Sequence, residues 1–181
     1  IMQSPALPQR YDAIARSLHW ASALLIVAAF VMGLTIDLFP REQRPPYLNA
    51  HVLLGLAVVV LAVVRLGWRA GHAMPAPPAN SSALATLSLK LGHGALYFLM
   101  FVVPLIGFAP LFARGRGINF GLFQIASPIE RTKDWIGPTT EIHEIAAYAL
   151  IALALGHVAA AIYHQVALKD GLMLRMMPER R

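Results

Sequence analysis

Apolar positions gather into four long runs, separated by short stretches rich in polar residues and proline. The runs cover residues 18–36, 47–64, 91–113 and 142–168. An α-helix rises 1.5 Å per residue, so about 20 apolar residues cross the hydrocarbon core of a bilayer. Each run therefore predicts one membrane-spanning helix. With their flanks, the helices are expected over about 15–38, 47–69, 88–113 and 139–168. The chain reads as a single domain over 1–181, an all-α integral membrane four-helix bundle. Pro104 and Pro110 fall inside the third run. Proline is tolerated in membrane helices, and kinks are expected there. The first run is too long for a cleaved signal peptide and holds His19 and Trp20.

The connections carry the prolines and the charge. Residues 39–46 make a short turn, and residues 69–82 are proline-rich and polar. Residues 114–140 form the one long loop, and loops of that length are usually functional or contain a short helix. The tail from Lys169 is basic.

Composition supports the membrane reading. Of 181 residues, 57% are hydrophobic and 13% charged, against about 25% charged in a soluble domain. That excludes a soluble globular enzyme, a disordered tail protein and a nucleic-acid binder. The net charge of +6 is explained by Lys and Arg flanking membrane helices. The chain has no cysteine. Disulfides, thiolate-held iron–sulfur clusters, c-type haem attachment and a thiol nucleophile are all excluded.

Four spans put both termini on one side. That side holds Arg10, Arg16, Arg65, Arg69, Lys90, Lys169, Arg175, Arg180 and Arg181. The other holds Arg41, Arg44, Arg114, Arg116, Arg131 and Lys133. The positive-inside rule then places both termini in the cytoplasm. The outer side remains unusually basic for its position.

The histidines are the strongest chemical clue. Six of the seven lie in the apolar runs or at their ends: His19, His51, His93, His143, His157 and His164. His72 lies in a loop. An ionisable residue within a span is a functional hypothesis. Any one of them taken alone also fits a histidine bonded between helices or sitting among headgroups. As a set they fall into two layers. With alternating helix directions, His51 and His143 lie near the outer face. His19, His93, His157 and His164 lie toward the inner face.

His143 and His157 are fourteen residues apart, which is about 40° short of four full turns and a rise of about 21 Å. Both project from one face, one toward each side of the membrane. That is the geometry for two haems stacked across a bilayer in a four-helix bundle, and bundle cores are where such cofactor sites are built. Imidazole suits iron, copper and zinc alike, so histidine alone leaves the metal open. A zinc site would cluster three or four ligands at one depth. His143-Glu144 looks like the start of a metalloprotease motif, but Ala147 stands where the second histidine belongs. Gly55, Gly92, Gly94 and Gly156 lie beside histidines. They suit close approach of flat rings, or ordinary helix packing. Arg65 is fourteen residues after His51, on its face and at the opposite depth. It is placed to pair with a propionate of an inner haem, or to anchor the helix at the membrane surface.

These features resemble the prokaryotic cytochrome b561 family, and within it the stand-alone superoxide oxidase type. The resemblance rests on Arg16-Ser17-Leu18-His19-Trp20, Asn49-Ala50-His51, Leu91-Gly92-His93, Glu141-Ile142-His143-Glu144 and Gly156-His157. The ending from Lys169 to Pro178 supports it. The resemblance implies two haem b groups, with His51 and His143 as axial ligands of the outer one. The outer pair also follows from depth. The inner pair, His19 with His157, is implied by the family alone, since His93 and His164 lie at workable depths.

The implied activity is that of an oxidoreductase of the bacterial inner membrane, carrying electrons from periplasmic superoxide to ubiquinone. Arg114 and Arg116 are expected to steer superoxide, with Arg131, Lys133, Arg41 and Arg44 adding to the field. The alternative for any one of these is headgroup contact. Phe120, Phe123 and Trp135 suggest that the long loop lies along the interface and covers the outer haem. The quinone is expected near His93 and His164, with Lys90 and Arg65 as neighbours. The expected partners are superoxide, ubiquinone and lipid, with no nucleic acid and no obligatory protein partner. The alternative function is a cytochrome b subunit exchanging electrons between the quinone pool and a partner dehydrogenase. A non-redox bundle with interfacial histidines is the alternative from another class.

Overall fold

The computed structural model describes residues 10–72, Pro75 and residues 83–177. Within them four long helices run through the chain: α1 (Ala13–Thr35), α2 (Arg44–Gly71), α3 (Ala83–Ala113) and α4 (Lys133–Tyr163). All four are long and apolar enough to cross a membrane. Consecutive helices pack side by side, α1 on α2, α2 on α3 and α3 on α4, as short connections between them require. Phe30 of α1 meets Tyr148 of α4 edge-on at 5.6 Å and closes the ring of helices.

The buried core is small and lies in the middle of the spans. Val58, Ala62, Met100, Val103 and Leu150 form it. Most large apolar side chains point outward instead, among them Leu24, Phe98, Leu105 and Leu155. On a soluble protein such a continuous apolar surface would aggregate. In a membrane it is solvated by lipid tails, while the helix ladders satisfy the backbone internally.

The helix ends show why the elements start where they do. The Asp12 carboxylate accepts the Ala15 N–H at 2.8 Å and caps α1. It also accepts the indole N–H of Trp68, fastening the start of α1 to the end of α2. The Ala15 and Trp68 hydrogen bonds hold the Asp12 carboxyl below its ordinary range. Pro45 and Pro46 stand in the first turn of α2, where the missing N–H leaves no ladder bond unmade. Gly55 of α2 comes within 3.6 Å, measured from an added Cβ, of Pro104 in α3. That glycine serves helix packing. α3 continues through both Pro104 and Pro110.

Against the expected 15–38, 47–69, 88–113 and 139–168, every helix begins earlier, while α1 and α4 give way to a 3-10 and a π-helical turn before 38 and 168. The largest difference is at α4, which begins at Lys133. Gly137 and Pro138 fall in the expected loop of residues 114–140, yet the helix passes through them. The hydroxyls of Thr139 and Thr140 donate to the carbonyls of Trp135 and Ile136 at 2.5 and 2.6 Å, bracing the first turns around Pro138.

The long outer loop is also more ordered than an irregular connection. Ile118–Asn119 (β1) pairs antiparallel with Gln124–Ile125 (β2), a small hairpin added to an otherwise helical fold. Gly117 makes it possible: a Cβ there would fall 2.1 Å from the Ile125 carbonyl oxygen. Asn49 ties the hairpin to α2. Its Nδ2 donates to the Asn119 carbonyl at 2.8 Å, and its Oδ1 accepts the Asn119 N–H at 2.9 Å. Ile118 is buried beneath, while Leu122 at the tip is 98% exposed.

At the opposite end α4 passes into a π-helical turn, His164–Leu168. Lys169 and Gly171 take positive φ of 53° and 74° and turn the chain back. The tail then docks: the Tyr11 N–H donates to the Arg175 carbonyl and the Trp20 indole N–H to the Met176 carbonyl. Arg180 and Arg181 of the basic tail, and most of the proline-rich stretch before α3, lie outside the described residues.

Candidate functional site

The two histidine layers expected from the sequence are present as side-chain clusters. At the end of the bundle expected to face outward, and so termed outer, His51 of α2 faces His143 of α4, with ring centroids 6.0 Å apart and planes at 86°. Each ring is held by a backbone carbonyl of a neighbouring helix. Nδ1 of His51 lies 2.9 Å from the Ala29 oxygen, and Nδ1 of His143 lies 3.0 Å from the Val103 oxygen. A carbonyl can only accept, so both Nδ1 atoms carry the proton. That leaves Nε2 of each ring with its lone pair available, the arrangement found in metal-bound histidine.

At the inner end His19 of α1 lies 6.3 Å from His157 of α4, centroid to centroid. His93 of α3 stands closer to His157, at 5.2 Å. Its Nδ1 donates to the Leu89 carbonyl one turn back, at 2.7 Å. Arg65 donates to Nδ1 of His19 at 3.2 Å, and its guanidinium lies 5.3 Å from the centre of the Tyr97 ring. Arg65 therefore belongs to the inner layer, as its spacing from His51 implied. Lys90 is exposed.

A test of fit for haem follows from these distances. One metal atom midway between two imidazoles, roughly 2 Å from each nitrogen, sets the ring centroids about 6 Å apart. The His51–His143 and His19–His157 pairs match that span, and His93–His157 is shorter. Among the described residues, no three His, Cys, Asp or Glu side chains are grouped so as to hold a metal ion. Gly92, Gly94 and Gly156 have no protein atom within 4 Å of an added Cβ. Helix contact does not explain them, and Gly94 and Gly156 are exposed.

His164 stands apart from these three. Its Nδ1 lies 2.5 Å from a carboxylate oxygen of Asp170, and its ring meets Tyr163 edge-on. The other Asp170 oxygen accepts the Leu172 N–H at 3.0 Å. Burial works to raise the Asp170 pKa. The His164 hydrogen bond, the Leu172 N–H and the charges of His164 and Arg175 outweigh it and lower the value. The structure thus places two of the expected quinone neighbours, His93 and Arg65, in the inner layer. His164 sits in a separate pair with Asp170, a residue the sequence reading missed.

The outer loop gathers arginines. Arg114, Arg116 and Arg131, with Ile136, line a concavity of about 270 Å³. Gly115 brings them together by adopting φ +66°, with the Arg131 backbone 3.2 Å from an added Cβ. The guanidinium of Arg114 donates to the Pro110 carbonyl at 2.8 Å and to the Thr140 hydroxyl at 3.1 Å. Thr140 lies one turn before His143, so Arg114 anchors the concavity to α4 about one helical turn from that histidine. Half-burial and the charge of Arg116 lower the Arg114 pKa, and Asp37 and Glu144 act against them. Arg44 is locked to Asp37, its guanidinium 2.6 Å from the carboxylate and also bonded to the carbonyls of Phe39 and Asp37. Its charge is spent in a local clamp, so it adds little to an outer field.

Residues 10–179 match the model of the prokaryotic cytochrome b561 family. Cytochrome b561 homolog 2 of Escherichia coli (strain K12) is 27% identical over 175 residues, covering 94% of this chain and 92% of that protein. A protein of Yersinia pestis named "Probable superoxide oxidase CybB" is 28% identical over 175 residues, covering 96% of this chain and 98% of its own. Cytochrome b562 of Cereibacter sphaeroides is 33% identical over 176 residues, covering 94% and 96%.

Proposed function

The chain belongs to the prokaryotic cytochrome b561 family, a membrane electron-transfer family, and from that premise we propose that it passes electrons from superoxide to ubiquinone. In this reading the chain holds two haem b groups. His51 and His143 bind the outer one and His19 and His157 the inner one. Haem b, when bound, supplies one-electron redox chemistry at iron. The protein lies in a bacterial inner membrane with both termini in the cytoplasm, so the arginine concavity faces the periplasm.

The observation that carries the reading is that concavity. Arg114, Arg116 and Arg131 line one surface, and Arg114 ties it to Thr140, one turn before His143. A cationic, partly enclosed surface concentrates small anions and raises their encounter rate. The name of the Yersinia pestis relative agrees with it. Two superoxide ions each give up one electron there and leave as dioxygen. At the inner end one ubiquinone takes two electrons and two protons and becomes the quinol. His164, paired with Asp170, is the group to relay those protons, since an imidazole can accept at one ring nitrogen and donate from the other. His93 and Arg65, with Lys90 at the surface, line the approach to the inner pair.

The deciding measurement uses purified protein in detergent, with a superoxide generator and a soluble ubiquinone. Superoxide alone should reduce the haems, and added quinone should reoxidise them with quinol formed. Haems that stay oxidised under superoxide, yet are reduced by quinol, would sink the proposed direction of electron flow and favour a cytochrome b subunit serving a partner dehydrogenase.

A further inference from the structure

Two glycines stand in the same relation to the outer histidines, on two different helices. His51 reaches across to the Ala29 carbonyl of α1, and Gly33 is four residues on from Ala29. His143 reaches across to the Val103 carbonyl of α3, and Gly107 is four residues on from Val103. In an α-helix the Cα–Cβ bonds tilt toward the N-terminus. The side chain at position i+4 therefore leans over the carbonyl of residue i. Any residue but glycine there would cover the oxygen that the ring must reach.

The distances show how little room remains. A Cβ at Gly107 would lie 2.9 Å from Cε1 and 3.1 Å from Nδ1 of His143. A Cβ at Gly33 would lie 3.3 Å from Cε1 and 3.7 Å from Nδ1 of His51. The first is closer than real Cβ contacts come, and the second demands a small displacement. By contrast Gly67, on the helix of His51, and Gly137, on the helix of His143, have no such neighbour within 4 Å. Glycine inside a helix is less favourable than alanine, so Gly107, well inside α3, needs a compensating role, while Gly33 stands two residues before the end of α1.

We propose that Gly33 and Gly107 are positioning residues for the outer histidine pair: each opens a notch through which a ring N–H reaches a helix carbonyl. This rests on the reading that His51 and His143 are the outer haem ligands. The N–H to carbonyl bond fixes the ring orientation, keeps the proton on Nδ1 and makes Nε2 a stronger donor. A stronger donor favours ferric over ferrous iron. Closing the notch weakens that bond, so the outer potential rises.

The test compares four alanine variants of the full-length haem-loaded protein: Gly107→Ala, Gly33→Ala, Gly67→Ala and Gly137→Ala. Haem content, the electron paramagnetic resonance of the ferric state and a redox titration are read for each. His51→Ala identifies the outer signal by its loss. Gly107→Ala should shift the outer g values and raise the outer potential, or lose the outer haem. Gly33→Ala should give the same shifts with smaller size, and the inner haem should not change. Gly67→Ala and Gly137→Ala should match the parent. If Gly107→Ala yields no protein, Gly33→Ala decides by itself. An outer signal unchanged in the notch variants overturns the proposal, as does an equal shift in the two control variants. A parent protein with only one haem instead removes the dihaem reading, and this inference with it.

Discussion

The Arg65 guanidinium donates to Nδ1 of His19 across 3.2 Å, so His19 receives a hydrogen bond where His51 and His143 give one. A guanidinium has no lone pair to offer, hence Nδ1 of His19 accepts here and the neutral ring keeps its proton on Nε2, so this ring must release Arg65 and move its proton to Nδ1 before Nε2 can bind iron. The two layers are therefore not copies of one another. The outer rings are set by neutral carbonyls and the inner one is set by a cation.

A fixed positive charge beside the inner haem favours the reduced iron. Arg65→Leu should lower the inner potential and leave the outer one where it was. Redox titration of the purified variant, with the two components resolved, is the check. Equal movement of both potentials would mean that Arg65 acts on the bundle as a whole.

Loss of one axial imidazole should remove one haem. His51→Ala or His143→Ala should halve the haem content and spare the inner haem, because the two layers share no ligand. Pyridine haemochrome quantitation against protein concentration reads this directly. Retention of both haems in either variant contradicts the assigned outer pair.

The arginine concavity makes a prediction about salt. Attraction of a small anion by exposed charges is screened over a Debye length of about 8 Å at physiological ionic strength. Haem reduction by superoxide should slow as salt is added. Arg116→Glu with Arg131→Glu should slow it further and flatten the salt dependence. Arg114 is a poorer choice for reversal, because it also bonds the Pro110 carbonyl and Thr140. Stopped-flow reduction indifferent to both salt and charge reversal would leave the concavity without a steering role.

Proton delivery at the inner end should depend on the His164–Asp170 pair. His164→Ala and Asp170→Asn should each slow quinone-dependent reoxidation with haem content intact, and His93→Ala should slow it as well. Reoxidation at the parent rate in all three would put the quinone elsewhere.

The same pair links the tail to pH. The Asp170 pKa is lowered from its ordinary 3.8. Its folded value thus lies below its unfolded one, so its stabilisation is fully present above 3.8 and is lost as pH falls through the folded value. The protection of the tail amides, taken relative to their intrinsic exchange rates at each pH, should therefore fall in acid, and Asp170→Asn should remove that dependence. A tail that loosens at the same pH in both proteins would trace the effect to other groups.

The sequence by itself determined the architecture. Runs of some 20 apolar residues have one stable solution in a bilayer, because only a helix satisfies its own backbone there. The 3.6-residue period then placed His143 and His157 on one face, and alternating helix direction sorted the histidines into two depths. The arginines were legible as an outer excess.

What the sequence did not determine was which groups meet. Chain spacing gives depth and helical phase, but not the rotation of one helix against its neighbour. Only packing brought His93, and not His164, beside His157, and only the fold-back at Gly115 brought Arg131 to Arg114 and Arg116. The clamp of Arg44 on Asp37, the Asp170 partner of His164 and the hairpin held by Asn49 likewise depend on local folding that charge counts and periodicity do not encode. Gly33 and Gly107 were visible as glycines inside helices. Their neighbours were decided by tertiary structure, because what a missing Cβ makes room for lies on another helix.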